Sequence, residues 1–126
     1  MRDTYPNWSA NTTGNTQEDP FGEHFTINPS AAQERKGTPI YSGVLKYFPQ
    51  AIAEVSRTSQ AGNDQHHPDK PLHWDKSKSS DELDALTRHL VDHSVHPVDE
   101  DGVLHLSKVA WRALAALERY LDGQDV

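Results

Sequence analysis

Apolar residues recur at helical spacing in three stretches of the chain. Val44, Leu45, Phe48, Ile52 and Val55 form the first set, with polar residues between them. Leu83, Leu86, Leu90 and Val91 form the second. The third is the most regular: Leu106, Val109, Ala110, Ala113, Leu114, Leu117, Tyr120 and Leu121. No segment alternates with the period of a strand. The pattern predicts a mainly α fold, a small helical bundle of three main helices. The first is expected from Tyr47 to Gln60, with Pro49 in its first turn, where a missing N–H costs nothing, and Gly62 as its stop. The second is expected to open on a Ser79/Glu82 capping box and to end near His93. The third is expected to start near His105 or Leu106 and to stop before Gly123.

The intervening segments differ in kind. Residues 1–36 are polar and turn-rich, with Trp8, Phe21, Phe25 and Ile27 isolated from one another, so a flexible polar arm is expected there. Ordered structure is expected from the turn Gly37-Thr38-Pro39-Ile40-Tyr41-Ser42-Gly43 onward. Residues 62–78 make an unusually long, His- and Asp-rich connection, a length that points to a working loop or a disordered one. Residues 95–102 are acidic, contain Pro97 and read as a loop.

Composition narrows the function classes. With 126 residues and 14.1 kDa, one domain is expected. Lys+Arg 12 against Asp+Glu 19 leaves a net charge of −7, which gives no counterion-release drive toward duplex nucleic acid or an anionic membrane. A small nucleotide is still compatible, because a few local cations can hold it. The absence of cysteine removes disulfides, thiolate nucleophiles and Cys-ligated metal centres. No apolar run approaches the ~20 residues of a membrane span, and no signal-peptide pattern opens the chain, so a cytoplasmic location is expected. Three helices form a thin core, and Trp111 lies at the edge of the third stripe. A homo-oligomer is therefore expected, the alternative being that Trp111 covers the chain's own core.

Several residues carry candidate chemistry. Asp81 and Asp84 lie three apart near the start of the second helix, and Glu54 on the first could face them if the helices pack antiparallel; carboxylates so placed bind Mg²⁺ or Mn²⁺. Ion pairs of Glu54 with Arg57 and of Asp84 with Arg88 are the structural alternatives. His66 and His89 are candidate general bases, since imidazole titrates near working pH. Trp74, in a polar loop, suits stacking on a nucleobase or anchoring the loop, and Asn63 suits a base edge or a turn. Lys78 and Arg88 suit phosphate charge, as do Lys76 and Arg112. No Gly-rich phosphate loop, GxSxG or HExxH occurs.

The motifs Gly37 to Gly43 with Tyr47-Phe48-Pro49, Gly62-Asn63-Asp64-Gln65-His66, Leu72-His73-Trp74-Asp75, Asp81 to Leu90 and Val109-Ala110-Trp111-Arg112-Ala113 occur in the order seen in a phage protein family. Over about residues 36–121 the chain resembles the dATP/dGTP diphosphohydrolase N-terminal domain family. That resemblance implies a nucleotide-handling helical domain over residues 37–126. It also implies Mg²⁺-dependent hydrolysis of a deoxynucleoside triphosphate to monophosphate and pyrophosphate. The related all-α pyrophosphatases of the MazG type carry ExxE and ExxD on adjacent helices. Here Glu54 is followed by Arg57, and Asp81 with Asp84 is only similar to ExxD. Two readings follow: an enzyme with Glu54, Asp81 and Asp84 on the metal, and a non-catalytic phage protein that sequesters a nucleotide or a nucleotide-derived immune signal.

Overall fold

The computed structural model describes residues 31–78 and 80–126. Its helices are α1 (Ala32–Lys36), a π-helical turn (Tyr41–Leu45), α2 (Pro49–His66), α3 (Glu82–Val95) and α4 (His105–Leu121), and no strand occurs among the described residues. No helix among them is long and apolar enough to cross a membrane. The expected arm lies largely outside the described residues; its last few residues form α1.

α2 starts at Pro49, two residues after the expected Tyr47, with the proline at the head of its first turn, and it passes through Gly62 and ends at His66. Pro68 is the effective stop. It cannot continue a helix and disfavours helical backbone at His67, and Asp69 then turns the chain with a positive φ of 65°. Asn63 supplies the tertiary reason for the extension. It is buried on the last turn of α2, where its Nδ2 donates to Lys70 O at 2.9 Å and its Oδ1 accepts from His73 N at 3.4 Å. The helix must run on for that amide to hold residues 70–73 against it.

α3 begins at Glu82 with Asp81 in the capping position and no side-chain cap bond. Ser79, the other half of the expected capping box, lies outside the described residues. α3 ends at Val95, and His96 is extended before Pro97. A tight turn then reverses the chain: Asp99 N donates to Val103 O, Gly102 N to Asp99 O and His105 N to Pro97 O, at 2.9, 2.9 and 3.0 Å. Gly102 sits at φ 85°, a conformation that side-chain-bearing residues avoid. α4 returns antiparallel to α3, so that Glu82 at the start of α3 meets Arg119 near the end of α4.

α4 is the central helix, because α3 and α2 both pack on it. Their inward faces are small and polar. The buried apolar side chains among the described residues are Ala85, Ala115 and Ala116, accompanied by Glu82, His105, Ser107 and Arg119. The regular stripe of α4 faces outward instead: Leu106, Leu114, Leu117 and Tyr120 are all exposed, as are Leu83, Leu90 and Val91 on α3. This reverses the simplest expectation for an amphipathic helix. Alanines and hydroxyls let the helices approach closely: Thr58 Oγ1 donates to Ser107 Oγ at 3.0 Å, and Trp111 Nε1 to Ser59 Oγ at 2.6 Å.

Candidate functional site

The second half of α2, the loop that Asn63 holds and one face of α4 enclose an open cleft of about 730 Å³. That is within the ~300–1,000 Å³ typical of small-ligand sites. Trp74 and Trp111 meet edge to face in its wall, with centroids 5.4 Å apart and planes at 76°. Trp111 therefore has an intrachain place, fixed by Ser59, and Trp74 anchors the loop on it. Both rings stay only half-buried, leaving aromatic surface toward the cleft. Lys76 Nζ lies 5.2 Å from the Trp74 ring centre and bonds Asp122 at 2.8 Å, tying the loop to the end of α4.

Lys78, Lys108 and Arg112 bring positive charge to the lining, against Asp75 and Asp101. Lys108 is already neutralised, with Nζ 2.7 Å from both Asp99 and Asp101. Burial opposes its charge, but those two carboxylates hold its pKa above the usual lysine value. The Asp75 carboxyl lies below its ordinary range because Oδ1 accepts from the Ser77 hydroxyl at 2.6 Å and the Ser77 amide at 3.0 Å. His66, His67 and His73 also line the cleft, with the His67 and His73 rings 4.7 Å apart. Partial burial, followed by repulsion from His73, Lys78 and His66, lowers the His67 pKa and favours a neutral imidazole.

Four of the residues expected to serve the site, Asn63, His66, Trp74 and Lys78, are thus gathered in one cleft. Asn63 shapes the loop from beneath, because its amide is engaged by the backbone of residues 70 and 73. The other five lie elsewhere. Arg88 Nη2 pairs with Asp81 at 3.2 Å on the outer face of α3, and Glu54 pairs with Arg57 on α2. Asp84 is exposed. Among the described residues, the group of three potential metal ligands that lie close together does not include Glu54, Asp81 or Asp84. His89 faces α4, where its Nδ1 lies 3.1 Å from His105 Nδ1. Burial, then the charges of Lys108 and His105, lower its pKa.

The sequence pattern marks His67 and His73 only as members of the His- and Asp-rich connection, and it does not single out Lys108, Asp99, Asp101 or His105. The first two adjoin recognised residues, and a density of imidazoles was the available signal. The last four depend on the tight turn before α4, for which Asp101-Gly102 is the only local sign.

The family described as dATP/dGTP diphosphohydrolase, N-terminal, matches residues 29–126. The chain belongs to that family. No curated protein and no solved structure matches it.

Proposed function

We propose that this member of the dATP/dGTP diphosphohydrolase N-terminal family binds a purine deoxynucleoside triphosphate in the cleft between α2 and α4 and hydrolyses it to monophosphate and pyrophosphate. The observation that carries the reading is the Trp74–Trp111 pair with Lys78 and Arg112 lining the same 730 Å³ space. An exposed indole face stacks a base whatever its edge pattern, and cations beyond it attract the phosphates. His66, which lines the same cleft, would accept the proton of an attacking water. The water oxygen would bond to the α-phosphorus, the bond to the α–β bridging oxygen would break, and pyrophosphate would leave.

A second reading, binding without turnover, is supported by the ion pairs that engage Glu54 with Arg57 and Asp81 with Arg88. The residues that would hold the nucleotide are the same in both. Incubation with dATP and dGTP, in Mg²⁺ and in Mn²⁺, followed by chromatography decides between them. Monophosphate in equal amount to pyrophosphate supports the enzyme. Depletion of free nucleotide without product supports sequestration.

The assembly proposed for either reading is a homo-oligomer. It rests on the outward stripe of α4 and on Leu83, Leu90 and Val91 of α3. An apolar face of that extent, beside a core whose buried apolar side chains are alanines, is suited to a second copy of the chain.

A further inference from the structure

His89, Asp99 and His105 come from three different places, the middle of α3, the turn before α4 and the first residue of α4. Among the described residues they are a group of three whose potential ligand atoms all lie within 4.8 Å of one another. The two Nδ1 atoms are 3.1 Å apart, and His105 Nδ1 is 3.9 Å from Asp99 Oδ2. Around a four-coordinate ion with bonds of ~2.0–2.1 Å, neighbouring ligand atoms lie ~3.3 Å apart, so the two separations bracket the required spacing. The turn fixes the arrangement through Asp99, Gly102 and His105 backbone bonds, and His105 is almost wholly buried.

We propose that His89, His105 and Asp99 form a binding site for a divalent transition ion that prefers imidazole, of the Zn²⁺ or Co²⁺ class. Two imidazoles and one carboxylate select such ions over Mg²⁺, which takes oxygen ligands. Lys108 does not block the site. A carboxylate offers about four lone-pair positions on two oxygens, so Asp99 can accept from Lys108 and ligate at once. Asp101, also 2.7 Å from Lys108 Nζ, keeps the ammonium in place if Asp99 turns. His93, one helical turn beyond His89, carries a buried Nδ1 without a hydrogen-bond partner among the described residues, but it stands outside the group of three. The site adjoins the cleft through Lys108, which contacts Asp99 and lines the cleft wall. It is distinct from the nucleotide residues and does not depend on the proposed reaction.

The test uses the full chain without a histidine tag, stripped with a chelator and titrated with Co²⁺ while the visible absorption is read. The expected result is a set of d–d bands saturating at one ion per chain. The affinity should fall by at least ~100-fold in His89→Ala, since even residues that merely support a ligand contribute ~10–100-fold. His67→Ala, in the cleft, should leave the bands intact. Asp99→Asn provides a second ligand variant, and far-UV circular dichroism reports whether each variant is folded. No bands in the parent, unchanged affinity in a folded His89→Ala or Asp99→Asn, or loss of the bands in His67→Ala would each overturn the assignment.

Discussion

Arg119 Nη1 donates to Glu82 Oε1 at 2.7 Å, joining the first residue of α3 to the last turn of α4 in a site where Glu82 is 1% exposed. The other carboxylate oxygen, Oε2, is buried without a partner among the described residues. A buried pair of this kind contributes little over a well-packed apolar pair, but either member alone is costly. Arg119→Leu should therefore lower the unfolding free energy by about 3–5 kcal/mol. Glu82→Leu combined with Arg119→Leu should recover most of the loss. Denaturant unfolding of the parent, the single and the double variant measures the coupling; additive losses would contradict it.

Two glycines should respond in opposite directions. Gly62 lies inside α2, and an added Cβ meets nothing within 4 Å, so Gly62→Ala should stabilise by about 0.5–1 kcal/mol through a less flexible unfolded chain. Gly102 also has open space around it, but its φ of 85° strains any side-chain-bearing residue, so Gly102→Ala should destabilise by about 1 kcal/mol. Thermal melts of both variants check the signs.

The outward stripe makes a prediction about mass. The parent should sediment above 14.1 kDa, and Leu117→Glu should shift it toward the monomer by placing a charge on the exposed apolar face. A concentration-independent monomer for the parent would remove the proposed interface.

Nucleotide affinity should depend on pH through His67. Its pKa is lowered, so at pH 7.5 the imidazole is neutral and adds no charge to the cleft. Protonation would add a positive charge beside bound phosphates, and by linkage the anion would raise the His67 pKa. Affinity should therefore strengthen as pH falls through the range below the usual histidine value of about 6.5. His67→Ala should flatten that rise. Calorimetric titrations across pH 5–8 give the slope.

The three main helices are legible in the sequence because each apolar set recurs at helical spacing, whereas the short α1 and the π-helical turn are not. Nor are the inward faces. A stripe such as Leu106, Leu114, Leu117 and Tyr120 marks an apolar side of the helix, but not whether this chain's own core uses it. Here Ala115, Ala116 and Ser107 set the close approach within the chain. The stop of α2 is misread at Gly62 because a glycine is an optional terminator, whereas Pro68 is a nearly obligatory one. The cleft residues Asn63, His66, Trp74 and Lys78 are legible as polar and aromatic residues crowded into one long loop. Asp99 and His105 are not, since their meeting with His89 depends on the turn geometry of Asp99 to Val103.

The central claim is that the cleft holds a deoxynucleotide on Trp74. Isothermal titration with dGTP and dATP, comparing the parent with Trp74→Ala, tests it most directly. Loss of a base stack is worth about 1–3 kcal/mol, so the variant should bind roughly 5- to 150-fold more weakly while its helix content stays unchanged. Equal affinity in a folded Trp74→Ala, or no binding of either nucleotide by the parent, would contradict the account.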